Sequence, residues 1–346
     1  MLVAGREWSI DLRALFMLEC GGIQVPYLDL AHPMGEPVVW LNVYEGTIMV
    51  KTIVCMLLMA SWAQAEVLHV ASFHPLAADL ARQVGGEHVE IVEVMKAGQD
   101  PHVFMPSPSD LQSVEGVRLL LVMGKGLEQY LDNLRDGLRP GQKIFEIGRM
   151  IPSLRMEDDM ALFACCPAHA YSAIDPHWWH SPRNMQRAAR LVADAFAAAT
   201  PEHADAFQAR AHDYGARMNE LHRWARSELG QIPQSRRRLV TAHAAFNYLC
   251  SEYRIRATPV LGLSSLEQPR PGQVRHVIDT LRNEKLPAIF PESTANPDVL
   301  TSIAEESGVQ LGRPLKGDTP SPEDPTFEAM FRHNVKSIVE ALGERD

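Results

Sequence analysis

Three histidines stand in local settings that suit metal binding: His102 in Asp100-Pro101-His102, His177 in Asp175-Pro176-His177, and His243 in Thr241-Ala242-His243-Ala244-Ala245-Phe246. In each Asp-Pro-His triplet the proline fixes φ and narrows the loop's conformations, while Asp100 or Asp175 is placed to accept the second imidazole N–H. That bond would set the tautomer and aim the other ring nitrogen, as a metal ligand requires. A lone histidine is more often a surface or core residue, but the same triplet twice in one chain points to a ligand set. His74 lacks the Asp-Pro setting, so it is expected to be structural, with lining of a cleft as the alternative. Glu292 and Glu128 follow apolar runs at strand ends, where α/β folds gather functional groups. Both are expected to support the ligands without binding metal, and Glu128 has a competing role as a helix-capping partner.

The elements that must position these residues alternate between strands and helices. Val67–Phe73 reads as a buried strand, Pro75–Val84 as a helix ending at Gly85-Gly86, and Val89–Met95 and Leu119–Met123 as further strands. Arg238–Thr241, Ala257–Leu261, Ala288–Phe290 and Gly308–Leu311 repeat the pattern in the second half. Such alternation indicates parallel βαβ units and two Rossmann-like α/β lobes. Between them, Pro201–Leu229 has no proline after its first position and keeps Phe207, Tyr214, Met218, Leu221 and Trp224 at helical spacing. A helix of that length spans roughly 40 Å and suits a rigid connection, with a helical hairpin arm as the plainer alternative.

The amino-terminal part reads differently. Met49-Val50-Lys51, the apolar run Thr52–Trp62 and Ala63-Gln64-Ala65 follow the order of a secretory signal, and the run is shorter than the roughly 20 apolar residues that span a bilayer. Cleavage after Ala65 is expected. Residues 1–48 show no sustained hydrophobic period and would precede that signal, so they are expected to be a non-native upstream extension, with initiation at Met49. They carry two basic and six acidic side chains, and residues 49–65 one lysine. The chain from Glu66 keeps 30 basic and 37 acidic residues and a net charge of −7, against −10 for all 346 residues. An acidic chain without a basic run disfavours nucleic acid and favours a cationic ligand. Cys165, Cys166 and Cys250 remain after cleavage, enough for at most one disulfide, and adjacent cysteines do not have the usual zinc spacing. No cysteine at the cleavage point indicates a lipid anchor.

The histidine motifs also resemble a known family, the solute-binding proteins of ABC-type zinc and manganese importers (ZnuA-like). Gly98–Asp110 is similar to its first ligand loop, Gly124-Lys125-Gly126-Leu127-Glu128 to a following strand-end motif, Asp175–Pro182 to the second loop and Thr241–Leu249 to the third. Phe290-Pro291-Glu292 and Asp318 with Phe327–Asn334 resemble the final portion, so the match runs from Val67 nearly to the end. The resemblance implies two lobes (66–200 and 231–346) joined by one long rigid helix (201–230), with the metal between them. It implies the ligand set His102, His177, His243 and Asp318; on sequence alone, Gly317-Asp318-Thr319-Pro320 is equally an ordinary turn. Three imidazoles and a carboxylate fit tetrahedral Zn2+. Where manganese-selective members commonly carry a carboxylate, this chain has His243.

The sequence departs from the family pattern at Met105, where many members have Glu, and at His180-Ser181, where Leu-Asp is common. The histidine-rich insertion before the second ligand loop is nearly absent. The expected function is capture of Zn2+ in the periplasm by a monomer, without a membrane span after cleavage, and delivery to the inner-membrane ABC permease of a zinc importer. A Mn2+-preferring importer component is the alternative. A zinc hydrolase would need an open fourth position and a general base, and no His-Glu-x-x-His motif supplies them; a metal-stabilised adhesin is the third class. No catalytic residue is assigned. The export signal predicts that the mature protein starts at or near Glu66, which intact-mass measurement of the periplasmic form checks; a soluble periplasmic species retaining Met1 would refute it.

Overall fold

The computed structural model describes residues 15–20, 23–28, 67–154, 174–263, 270–293 and 297–343. The signal at 49–65, Cys165 and Cys166 lie outside the described residues. Met1–Ala65 and Glu66–Asp346 are separate units. The first contains an antiparallel ribbon, β1 (Leu15–Cys20) and β2 (Ile23–Leu28), with Leu15 opposite Leu28 and Cys20 opposite Ile23. Gly21-Gly22 between two apolar runs is a hairpin signal that the surrounding mixed composition obscures.

In the second unit, β3 (Leu68–Ser72), β4 (Val89–Glu93), β5 (Leu119–Val122) and β6 (Lys143–Glu146) form a parallel sheet in the order β4-β3-β5-β6. Helix α1 (Pro75–Gly85) follows β3, and two short helices, α2 (Pro108–Ser113) and α3 (Leu131–Asp136), flank β5. The sheet is covered on both faces. Leu119, Leu121 and Met123 enter one core while Leu120 and Val122 enter another, so alternate residues of one strand serve opposite layers. This explains why β5 reads as an unbroken apolar run. β6 was not legible in the sequence, since only Ile144 and Phe145 of its four residues are apolar and it lies at the sheet edge.

The chain then forms α4 (Pro182–Ala199) and, after a 3-10 turn at Pro201–His203, α5 (Ala204–Gly230). The 27 residues of α5 span about 40 Å. Phe207, Ala211, Tyr214, Met218, Leu221, Ala225 and Leu229 are buried at helical spacing. Trp224 is only partly covered, with the Arg332 guanidinium 4.6 Å from its ring centroid. The second sheet pairs β7 (Arg238–Thr241) with β8 (Arg256–Pro259), and β9 (Ala288–Ile289) with β10 (Gln310–Leu311), all parallel. Thr241 bridges Phe290 and joins the two pairs. Helices α6 (Asn247–Tyr253), α7 (Pro271–Asn283), α8 (Asp298–Ser307) and α9 (Phe327–Leu342) complete this half.

One core holds Val70 and Leu121 from the first sheet, Leu239 and Phe290 from the second half, and the inner face of α5. The long helix is therefore a packed spine shared by both lobes. Helix α9 is tied to the first lobe by Asp79 of α1, whose Oδ2 accepts the Phe327 N–H at 2.8 Å. Asp79→Ala would leave that buried N–H unsatisfied and should destabilise the fold by about 1–3 kcal/mol. Urea unfolding checks this, and a change below about 0.5 kcal/mol would show that the bond does not anchor α9.

Candidate metal centre

The candidate site side chains sit in loops that leave the carboxyl ends of parallel strands, the position where open α/β sheets collect binding groups. His74 follows β3, His102 the loop after β4, His243 β7 and Glu292 β9. His177 lies just before α4 and Asp318 beyond β10. In the Asp175-Pro176-His177 turn, Asp175 Oδ1 accepts both the backbone N–H of His177 at 2.8 Å and its ring Nδ1–H at 2.9 Å. The Asp100 turn repeats the backbone bond, with Oδ1 accepting His102 N–H at 2.8 Å. At His243 the equivalent acceptor is Glu292: Oε1 takes the backbone N–H at 2.9 Å, and Oε2 lies 2.5 Å from Nδ1. The ring of His243 is thus held through an ion-pair contact with a glutamate 49 residues away in the sequence.

With their Nδ1 atoms engaged, His177 and His243 direct Nε2 to one point. His177 Nε2 is 3.2 Å from His102 Nε2 and 3.4 Å from His243 Nε2. Asp318 Oδ1 is 3.4, 3.4 and 3.3 Å from the Nε2 atoms of His102, His177 and His243. The four atoms lie within 4.8 Å of one another, and all four residues are buried. Five of the six edges are thus 3.2–3.4 Å, with His102 Nε2 and His243 Nε2 within 4.8 Å of each other; a regular tetrahedron with edges of that length has its centre about 2.0–2.1 Å from each vertex, the length of Zn–N and Zn–O bonds.

Burial opposes charge on Asp318, His243 and His177, and their contacts reverse it. Asp318 is held well below the usual carboxylate range despite its burial, by His243 and by hydrogen bonds from all three imidazoles. The His243 pKa is raised well above its ordinary value, with the charges of Glu292 and Asp318 overcoming the effect of burial. His177 is also raised, since the bonds to Asp175 and Asp318 outweigh burial. The arrangement is a negatively biased, water-poor cage that accepts protons or a cation.

Several supporting residues are visible only in three dimensions. Gly317 packs so closely that a Cβ would stand 2.8 Å from Glu292 Oε2 and 3.2 Å from Ala245 Cβ, so no larger residue fits before Asp318. The Gly317 carbonyl accepts Trp179 Nε1–H at 3.0 Å and His180 Nε2–H at 2.6 Å. Asn334 of α9 clamps Lys316 from both sides, accepting its N–H and donating to its carbonyl, each at 2.9 Å. Thr319 Oγ1 accepts Gly98 N–H at 3.2 Å and donates to the Gln99 carbonyl at 3.3 Å, which ties the Asp318 loop to the His102 loop.

Other expected site residues fall into different places. His74 caps α1: its Nδ1 accepts Leu76 N–H at 3.1 Å, which leaves the neutral ring's proton on Nε2 and removes the lone pair a ligand would need. Burial pushes its pKa down to about 3, so the ring stays neutral. Glu128 accepts the backbone N–H groups of Met123 and Gly124 at 2.6 and 2.9 Å. It braces the turn after β5, where Gly124, Lys125 and Gly126 all have positive φ, and does not cap the following helix α3, whose N-cap is Tyr130 with no side-chain cap bond. Met105 is 60% exposed and stands away from the cage. Cys250 is free and buried, and burial pushes its thiol pKa up.

Comparison with known proteins gives a concordant picture. Residues 70–341 match the family described as zinc-uptake complex component A, periplasmic (ZnuA). The manganese-binding lipoprotein MntA of Bacillus subtilis is 30% identical over 273 residues, covering 77% of this chain and 86% of the relative. The iron-binding protein YfeA of Yersinia pestis is 27% identical over 283 residues, covering 81% and 88%. Among solved structures, the periplasmic zinc-binding protein TroA of Treponema pallidum superposes with a TM-score of 0.72 at 23% identity, covering 81% of this chain and all of the other. The Mn-bound periplasmic metal-binding protein from Candidatus Liberibacter asiaticus gives 0.70 at 22% identity, covering 80% and 99%. At those identities the structural likeness concerns the fold.

Glu292→Gln keeps the shape of the His243 acceptor and removes its charge. It should weaken metal binding by about 10–100-fold in chelator-competition titrations while the fold is retained. An unchanged affinity would show that Glu292 does not set the His243 ring.

Proposed function

We propose, from the premise that this chain belongs to the ZnuA family of solute-binding proteins of ABC metal importers, that its cargo is Zn2+ held by His102, His177, His243 and Asp318. The protein is a binding component and not an enzyme. Capture takes place in the periplasm, by a monomer that delivers the ion to the importer's permease. The lobes divide at residues 200 and 231. No helix among the described residues is long and apolar enough to cross a membrane.

The observation that carries the zinc assignment is the set of five near-equal distances, 3.2–3.4 Å, among three imidazole nitrogens and one carboxylate oxygen. It supports four-coordinate, nitrogen-rich binding, which suits Zn2+; Mn2+ favours oxygen donors and more of them, and stands lowest in the Irving–Williams order. The second reading, a manganese carrier, is favoured by the name of the relative MntA.

Protons compete with the cargo. His177 and His243 have raised pKa values, so the metal-free protein holds protons there above the usual imidazole value of about 6.5, and binding must displace them. Affinity should therefore fall as pH decreases through that range, with more than one proton taken up per ion released; a constant affinity between about pH 5 and 7.5 would exclude an imidazole-dominated site.

Metal choice is decided by competition titrations of Zn2+ and Mn2+ on the wild type and His243→Glu, with metal content of the purified protein as a check. Zinc should win by a wide margin at about one ion per chain, and His243→Glu should narrow the margin mainly by weakening Zn2+. Equal or tighter Mn2+ binding by the wild type would overturn the zinc assignment and leave the transport role intact.

A further inference from the structure

The metal cage occupies the carboxyl ends of the strands. Near the amino ends of β7 and β8, where α5 and α6 terminate, the surface has the opposite electrostatic character. A cavity of about 310 Å3 is lined there by Arg183, Arg226, Arg237, Arg254, His222 and Glu252, with backbone and apolar parts of α5 and α6 filling the remainder. Four arginines and one carboxylate line it, in a chain whose net charge is −10. A second cavity of about 640 Å3 shares Arg237 and Arg254 and adds Arg238, Arg256 and Glu284.

The pairing inside this region leaves positive charge unspent. Glu284 engages Arg238 through two bonds of 2.6 Å. Glu252 is divided between His222 Nδ1 at 3.1 Å and Arg183 Nε at 3.4 Å. Arg237 is held by carbonyls, donating to Ile232 at 3.0 Å and to Gly230 at 3.0 Å, so its charge is anchored and not neutralised. The positive field is felt by His222, whose pKa is lowered by burial and then by Arg183, Arg226 and Arg223.

Arg254 supplies an independent sign. It ends α6 with φ +57° and ψ +46°, the left-handed position that glycine or asparagine ordinarily takes. A long side chain at such a position is strained, and strain retained at a cavity rim is grounds for seeking a use for the side chain. Arg254 lines the cavity together with Arg226 and Arg237, and the planar guanidinium fork suits bidentate contact with tetrahedral oxyanions.

We propose that this cavity binds a small free oxyanion of the phosphate or sulfate type, at a site separate from the metal cage and independent of its occupancy. The cavity lies at the small end of the range for ligand pockets, which fits a compact ion. The same phosphate chemistry also occurs on lipid headgroups, so the test separates the two sources.

Isothermal titration of inorganic phosphate into the full chain, in chloride buffer of low ionic strength, should show saturable binding at one site that weakens as salt is raised. Arg254→Gly and Arg226→Gln should each weaken it by about tenfold or more, the loss expected of one charge-assisted contact. Arg190→Gln, on the exposed face of α4 and outside the cavity, should leave it unchanged. Arg254→Gly also relieves the left-handed strain, so its thermal midpoint should be equal to or above that of the wild type; loss of phosphate binding there cannot then be ascribed to unfolding. Absence of saturable binding, or binding indifferent to both cavity variants, would overturn the proposal. Arg254-dependent co-sedimentation with phosphatidylglycerol vesicles without binding of free phosphate would replace the free ion by a lipid headgroup and equally overturn it.

Discussion

A buried carboxylate enclosed by three imidazoles is the constraint to which the rest of this structure answers. Asp318, Asp175 and Glu292 are 0%, 1% and 3% exposed, and isolated carboxylates so placed would be too costly to keep ionised. Each is balanced by an imidazole edge: Asp175 by His177, Glu292 by His243, and Asp318 by His102, His177 and His243. The outer two carboxylates hold the Nδ1 sides, and the inner one shares the space into which the Nε2 atoms converge. Either protons or a dication can offset the remaining negative charge there, so metal uptake and proton release are linked by the same atoms.

That cage is built from loops, yet nothing in it depends on a loop alone. The carbonyl of Gly317, next to the carboxylate ligand, is gripped by Trp179 and His180 from the segment that carries His177. Thr319 joins the His102 loop from the other side. Behind these contacts Asn334 fixes Lys316 to α9, and Asp79 fixes the start of α9 to α1. The bonds across the cleft are mostly between neutral groups, each contributing about 0.5–1.5 kcal/mol. They orient the Asp318 loop, while the charged cluster supplies the larger attraction between the halves. The packed α5 spine limits how the halves can part, because its inner face belongs to the same core as both sheets.

Much of this was legible in the sequence where local pattern and structure coincide. The apolar runs at β3, β5 and β7 marked strands because both faces of each are covered, and the spacing along 201–229 marked α5 because one face of it is buried. The Asp-Pro-His triplets were legible because the turn itself is the supporting device, with the aspartate accepting the histidine's own N–H. What remained hidden is non-local. His180 stands in the second loop only as a departure from the family pattern, yet it is fully buried against the Gly317 carbonyl, its ring tilted against Phe246 with centroids 4.5 Å apart. The need for glycine at 317 arises from Glu292 and Ala245, and Asn334 acts on a backbone 18 residues away. Glu128 misled in the other direction, since a strand-end carboxylate can brace its own turn as readily as it can face a ligand.

The same walls bear on which ions the cage can serve. His177, His243 and Asp318 are fully enclosed and His102 is 7% exposed, so added water ligands have little room unless the loops move. His74, close enough to the cluster that Asp318, His102 and His177 all influence its charge, has its Nδ1 committed to the α1 cap and presents Nε2–H instead of a lone pair. Trp179 packs against both His74 and His177, with ring centroids 5.3 and 5.2 Å away, and occupies space a further ligand would require. An ion satisfied by four donors fits without rearrangement, whereas one that needs five or six oxygen-rich contacts must draw a second carboxylate oxygen or water into a region already filled. The proposed preference for zinc thus follows as much from the residues that cannot bind metal as from the four that can.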